Sequence, residues 1–332
     1  MKDQFGREID YIRISVTDRC NLRCRYCMPE NGVETVPHSE ILSFDEILRL
    51  AEIFASLGIR KVKITGGEPL VRRGITSLIH DIKSLPGIEE VTLTTNGVLI
   101  GQNPKLAEEL AEAGISGINI SLDTLNPDRY EVLTRSGRLE DVLKAIDACC
   151  AVPGLKVKIN AVTLAEYNWD EVEELADLAR SRNLDVRFIE LMPVGLGGRF
   201  GCFSQDWILK RLEKAYGKAE PDQGPNCGSG PAKYYRLDGF SGRVGFISAL
   251  SHQFCSECNR VRLTSQGFLK PCLQYKDGVD LKALLRSGAD NEILREAAAA
   301  GIYGKPRQHE FCSENSESEE YKEEKNMSFI GG

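Results

Sequence analysis

The strongest constraint on the fold is an alternation repeated six times: a short β-rich run, then an amphipathic stretch of helical period. The runs are YIRISV (11–16), KVKITGG (61–67), EVTLTTNG (90–97), GINISLD (117–123), KVKINAVT (156–163) and DVRFIELM (185–192). Helical patterns follow each, at 43–58, around 74–84, at 104–113, near 138–150, at 169–183 and at about 204–215. The first has a full set of end signals: Ser43 at the cap, Glu46 three residues on and Gly58 at the close. Six βα pairs in strict order predict a parallel sheet with crossover helices. Spacing alone does not separate a closed eight-stranded barrel from an open six-stranded one.

The rhythm stops near 215. GKAEPDQGPNCGSGP (217–231) has linker composition, and 232 to about 300 is a smaller, less regular region. CSENSESEEYKEEKN (312–326) is acidic and poor in apolar residues, the composition of a solvated tail. The chain has 332 residues, enough to bury a core without disulfides. Its eleven cysteines are an odd number, which rules out a complete intrachain disulfide set. The net charge of −7 gives no reason to expect nucleic-acid binding, although a local Arg/Lys cluster can still receive a small anion. The opening residues carry no apolar run of signal-peptide length, and no stretch approaches the roughly 20 apolar residues of a membrane span. A cytoplasmic protein with no membrane partner is expected, its thiols reduced unless metal-bound.

Six cysteines fall in two groups. CNLRCRYC places Cys20, Cys24 and Cys27 on the loop after the first strand, the end of a βα unit where chemistry is placed. Three thiols are one short of a structural zinc site unless His38 completes it. On a 4Fe–4S cluster they leave one iron open to a small chelating molecule. The second group, Cys255, Cys258 and Cys272, again has three thiols. With His252 nearby, a Cys3His zinc site is open on spacing. Arg260 and Arg262 alternate just after it and share a face if the segment is extended. Two guanidiniums beside a metal group suit an anionic or purine ligand. Cys149, Cys150, Cys202, Cys227 and Cys312 have no ligand spacing.

The C-x3-C-x-aromatic-C loop, with Tyr26 before its last cysteine, followed by TGGEP (65–69), resembles the radical S-adenosylmethionine (SAM) superfamily. The resemblance implies a 4Fe–4S cluster on Cys20, Cys24 and Cys27. It also implies SAM contacts at Tyr26, Gly67, Ser121 and Met192. GFISALSHQFCSECNRVRLT, GFLKPCL and the terminal GG narrow the likeness, over essentially the whole chain, to the GTP 3′,8-cyclase family of molybdenum cofactor biosynthesis. That family implies an incomplete (β/α)6 TIM-type barrel closed laterally by a smaller C-terminal region. The divisions are a partial barrel at 1–216, an auxiliary-cluster region at 217–311 and an acidic tail ending in GG at 312–332. It implies a second 4Fe–4S cluster on Cys255, Cys258 and Cys272, whose open iron binds guanine. GTP contacts are implied at Arg13, Lys63, Thr94, Lys158, Arg260 and Arg262, with Arg13 and Lys158 at strand ends facing the barrel mouth. Arg13, Arg260, Arg262 and the Gly331–Gly332 tail are implied at the reacting site. Lys63 stands where arginine is expected, keeping the charge but losing the fork.

The implied reaction removes the ribose C3′ hydrogen with a 5′-deoxyadenosyl radical and joins C3′ to guanine C8, the two clusters facing one another across the barrel. Implied partners are a reductant protein such as flavodoxin or ferredoxin, a downstream cyclic pyranopterin monophosphate synthase, and a second copy in a homodimer. The alternatives are another radical SAM enzyme with an auxiliary cluster, of peptide-modifying type, and a zinc-stabilised binding protein.

Overall fold

A computed structural model describes residues 1–33, 36–222, 230–311, 323 and 325–331. All six expected strands form: β1 (Tyr11–Ser15), β2 (Lys61–Thr65), β3 (Glu90–Thr95), β4 (Gly117–Ser121), β5 (Lys156–Thr163) and β6 (Asp185–Glu190). The intervening helices are α1 (Phe44–Ser56), α2 (Ile75–Lys83), α3 (Val98–Gln102), α4 (Lys105–Glu112), α5 (Pro127–Thr134), α6 (Leu139–Ala151), α7 (Val172–Ser181) and α8 (Gln205–Tyr216). The α1 capping box is made as the sequence predicts. The Ser43 hydroxyl accepts from Glu46 N at 3.1 Å, and Ser43 N donates to the Glu46 carboxylate at 2.7 Å. Ser204 caps α8 in the same manner, accepting from Trp207 N.

Beyond 216 come β7 (Glu220–Pro221), β8 (Lys233–Arg236), β9 (Val244–Ile247), β10 (Arg260–Leu263), β11 (Phe268–Lys270) and β12 (Val279–Asp280). They are followed by α9 (Leu281–Arg286), α10 (Asn291–Tyr303) and α11 (Met327–Ile330). These strands join the first six in one sheet, in the order β12-β11-β10-β1-β2-β3-β4-β5-β6-β9-β8-β7. β10 pairs parallel with β1, and β9 pairs parallel with β6. Eight parallel strands therefore run side by side, with antiparallel strands at both edges.

Parallel strands covered by crossover helices are apolar on the helix-facing side. Ile12 and Ile14 of β1, Val157 and Ile159 of β5 and Val261 and Leu263 of β10 pack with Leu50 and Phe54 of α1 and Leu294 of α10 in one continuous core. The alternate residues face the other way. Tyr11, Arg13, Lys63, Thr92, Asn119, Lys158, Arg187, Ile247 and Arg260, from eight adjacent strands, line one cavity. No described helix is long and apolar enough to cross a membrane.

Candidate active site

The first cysteine loop leaves β1 and is fastened to the turn after β2. Gly67 N donates to Thr17 O at 2.7 Å, and Glu68 N to Arg19 O at 2.8 Å. Glycine is required there because a Cβ on Gly67 would stand 2.7 Å from Asp18 O, with Arg19 O also in conflict. The close approach that TGGEP allows is thus first to the chain's own backbone, and it spends the Gly67 N–H on Thr17 O. Glu68 is buried and braces the next turn, accepting from Thr95 Oγ1 at 2.8 Å and Asn96 N at 2.7 Å. Burial raises its carboxyl to about 7.

The three thiols of this loop share one desolvated environment. Burial pushes Cys20 to about 11 and Cys27 to about 12, and lifts Cys24 well above the usual thiol value. Cys27 and Cys20 raise Cys24 further, and Cys20 raises Cys27. Three such sulfurs ionise together only against a strongly electrophilic cation, so the donor set fits a thiophilic metal group. Tyr26 donates to Asp123 Oδ2 at 2.8 Å, and Asp123 Oδ1 accepts from Val162 N at 2.8 Å, tying the loop to β5.

The second triad sits on the β10–β11 hairpin. Cys255 and Cys258 precede β10 and Cys272 follows β11, and the antiparallel pairing brings Cys272 back beside the other two. Burial opposes ionisation of Cys258, but Arg260 and Lys305 outweigh it and bring the thiol down to about 6. Lys305 Nζ is held there by Arg260 O at 2.8 Å and Pro271 O at 2.6 Å. His252, the fourth ligand of the zinc alternative, is engaged elsewhere, with Nε2 3.5 Å from Asp206 and Nδ1 2.9 Å from Ser251 Oγ. Among the described residues, no three His, Cys, Asp or Glu side chains converge as ligands of a single ion.

Because β1 and β10 are parallel neighbours, the triads lie at opposite ends of adjacent strands. The cavity is strongly cationic. Arg13, Lys63, Lys156, Lys158, Arg187 and Arg260 line it, against one carboxylate, Glu90. Burial, with Arg187, Arg13 and Lys158 nearby, drives the Lys63 ammonium well below its ordinary value. Burial lowers Arg13 and Arg262 as well. Arg13 Nε and Arg187 Nε are buried without a hydrogen-bond partner. Buried cations and orphaned donors are costly, and a polyanion supplies what the orphaned Arg13 and Arg187 Nε lack.

Arg260 and Arg262 share the cavity-facing side of β10, as their alternation predicts, in register with Tyr11 and Arg13. Arg13 and Lys158 are not strand-end residues. Each is the third residue of its strand, deep inside the sheet, because β1 begins at Tyr11 and β5 at Lys156. Thr94 accepts from Asn119 Nδ2 at 3.3 Å, and Asn119 in turn accepts from Arg187 Nη2 at 2.6 Å. Ser121 ends β4, half-buried and paired with Asn160. Met192 packs with Val194, Leu273, Met327 and Ile330. The C-terminal helix enters between the triads: Ser328 N donates to Cys27 Sγ, and Arg262 Nη1 donates to Gly331 O. Gly332 lies outside the described residues.

Two site residues escape the sequence reading. Arg187 bridges Asn119 and Asn160 at 2.6 Å each; its signal was a lone arginine at an alternate position of an apolar strand. Tyr234, from β8, stacks its ring on Arg243 at 4.2 Å and faces Lys158 at 5.5 Å. Gly245 makes room for it, since a Cβ there would meet the ring at 2.8 Å. No sequence pattern announces that contact.

Residues 14–179 match the radical SAM superfamily, and residues 184–311 match the family described as Molybdenum Cofactor Synthesis C. A GTP 3′,8-cyclase of Clostridium perfringens is 48% identical over 311 residues, covering 94% of this chain and 95% of its own. The chain belongs to the GTP 3′,8-cyclase family. Another cyclase of that name, from Heliobacterium modesticaldum, is 48% identical over 316 residues, with 95% and 96% covered. Among solved structures, Streptococcus suis SuiB bound to the precursor peptide SuiA is similar at TM-score 0.60. It is 18% identical, with 93% of this chain and 69% of that one covered, a likeness of fold alone.

Proposed function

We propose that this chain converts GTP to (8S)-3′,8-cyclo-7,8-dihydroguanosine 5′-triphosphate in molybdenum cofactor biosynthesis, joining ribose C3′ to guanine C8. The observation that carries the reading is the cavity with six cationic side chains and one carboxylate, in a chain that also carries two thiol triads. Cys20, Cys24 and Cys27 hold one 4Fe–4S cluster, and Cys255, Cys258 and Cys272 hold a second. When bound, the first cluster and SAM supply the 5′-deoxyadenosyl radical that takes the C3′ hydrogen. Tyr26, Gly67, Ser121 and Met192 hold SAM. Arg13, Lys63, Thr94, Lys158, Arg260 and Arg262 bind GTP, and Arg187 belongs with them. The cations neutralise the triphosphate, fix the ribose between the triads and tolerate burial only once paired. Arg13, Arg260, Arg262 and the Gly331–Gly332 tail border the reacting centre, where the tail excludes water.

In this reading, residues 1–216 form an incomplete (β/α)6 barrel, 217–311 close it laterally and carry the auxiliary cluster, and 312–332 form the acidic tail with the GG end. The protein works in the cytoplasm as a homodimer. It receives electrons from a flavodoxin or ferredoxin and hands its product to a cyclic pyranopterin monophosphate synthase. A peptide-modifying radical SAM enzyme has no use for so many buried cations. The test is anaerobic incubation of the reconstituted protein with SAM, dithionite and GTP. A cyclised nucleotide and GTP-dependent 5′-deoxyadenosine are expected; deoxyadenosine formed equally without GTP overturns the substrate assignment.

A further inference from the structure

Several surface arginines of this protein sit on carboxylates: exposed Arg60 on Glu89 at 2.8 Å, half-buried Arg182 on Asp147 at 3.1 Å and exposed Arg286 on Glu46 at 2.8 Å. The first cysteine loop departs from that pattern. Arg19 and Arg25 are exposed and Arg23 and Arg135 half-buried. Those whose side-chain bonds are resolved spend them mainly on neutral carbonyls. Arg23 Nη1 donates to Cys20 O at 2.7 Å and Leu22 O at 2.9 Å. Arg135 Nη1 donates to Arg23 O at 2.9 Å and Met28 O at 3.1 Å, and Arg25 Nε to Val132 O at 2.9 Å. A neutral amide would serve a carbonyl as well; arginine also leaves its full charge at the surface.

The loop is docked on the end of α5 and the residues after it. Arg23 N donates to Thr134 O and Arg25 N to Leu133 O, both at 3.0 Å, and Ser136 Oγ donates to Asn21 O at 3.3 Å. This sets Val132, 48% exposed, beside the arginines, and exposed Arg138 follows on the same segment, 3.7 Å from Glu140. Segments 19–30 and 131–140 together hold five arginines against Glu30, Glu131 and Glu140, in a chain of net charge −7. An apolar side chain among cations in excess of the nearby carboxylates has the make-up of a docking patch for an acidic protein.

We propose that the arginine-rich outer face of the Cys20–Cys27 loop, with Val132 and Arg138 beside it, is the docking surface for an acidic one-electron carrier protein. The inference rests on the proposed function, because cleaving SAM consumes one electron at this loop. The carrier is oxidised by that one electron, and no atom passes between the proteins. Electrostatic steering of this kind raises association rates by about 10- to 1,000-fold and fades with salt.

The test uses the reconstituted full chain and flavodoxin. Arg19→Glu and Arg138→Glu reverse charges, while Arg25→Gln removes one and keeps an amide for Val132. Combined, they are expected to weaken flavodoxin binding, measured by calorimetry at low salt, at least tenfold and to flatten its salt dependence. 5′-Deoxyadenosine formation driven by flavodoxin is expected to slow in step, while the dithionite-driven rate stays at the wild-type value. Unchanged flavodoxin affinity overturns the proposal, as does wild-type binding of basic cytochrome c equal to that of flavodoxin. Arg138→Glu alone lies outside the cysteine loop; a dithionite-driven loss equal to its flavodoxin-driven loss also overturns the proposal. Failure of the functional reading is separate: wild-type protein would then form no deoxyadenosine with dithionite, or form it equally without GTP, whatever flavodoxin binding does.

Discussion

Replacing Lys63 with methionine is expected to move stability and nucleotide affinity in opposite directions. Lys63 is 8% exposed, with Arg187, Arg13 and Lys158 bearing on it against the attraction of Glu90. Methionine fills similar space without a charge. Relief from burying an unmatched ammonium is worth roughly 1–2 kcal/mol in the nucleotide-free protein, and each kcal/mol raises the melting temperature by about 2–4 °C. With GTP present the variant lacks a charge-assisted bond to phosphate worth about 1.5–3 kcal/mol, so affinity falls roughly 10- to 150-fold. The pH dependence has a defined sign. Burial lowers the folded-state value well below the ordinary lysine value of 10.5, so the unfolded chain binds the proton more tightly. Wild-type stability therefore gains from this residue as pH rises toward 10.5, and the advantage of Lys63→Met shrinks over the same window. Thermal unfolding with and without GTP, alongside calorimetric titration, reads all of this. A nucleotide-free variant less stable than wild type, with unchanged GTP affinity, would refute the picture of an unmatched cationic cavity.

Gly67→Ala is expected to force the two loops apart, straining two backbone hydrogen bonds of about 0.5–1.5 kcal/mol each. Chemical denaturation and iron content after reconstitution should both fall, and full iron with wild-type stability would count against the close-approach argument. Tyr234→Leu removes the ring facing Lys158 and is expected to raise the KM for GTP roughly threefold to tenfold with little change in kcat; steady-state kinetics decides. In the iron-free protein near neutral pH, Cys258, at about 6, should be alkylated by iodoacetamide before Cys27, at about 12, with its rate falling as pH drops below 6. Mass mapping of early labelling that found Cys27 first would contradict the assigned environments.

The βα alternation was legible because each unit carries its own signals. Strands of period two are followed by capped helices of period 3.6, and the observed α1, α2, α4 and α6 start and stop within about two residues of the sequence expectation. β9 and β10 were not legible as sheet members. Val244–Ile247 and Arg260–Leu263 are four residues each, and their partners β6 and β1 lie far away in sequence, so pairing is decided by the shared core. α5 was missed for a related reason: its amphipathic pattern is weak, and Asn126 capping Arg129 N is its main local signal. The cysteines announced themselves by spacing. Arg187 and Tyr234 gained their roles only when strands distant in sequence curled their alternate residues toward one space.

The parallel pairing of β1 with β10 also fixes a length. The loop of one triad follows β1, while two cysteines of the other precede β10, so the strand span between these loops is about five residues, or ~17 Å at about 3.3 Å per residue. A strand changes its reach only in steps, and side chains return to the same face every second residue. A relative that handled a longer or shorter molecule between the same two metal sites would have to lengthen both strands by pairs of residues. The sheet thus acts as a ruler with coarse graduations, and substrate size becomes a quantised trait of this architecture.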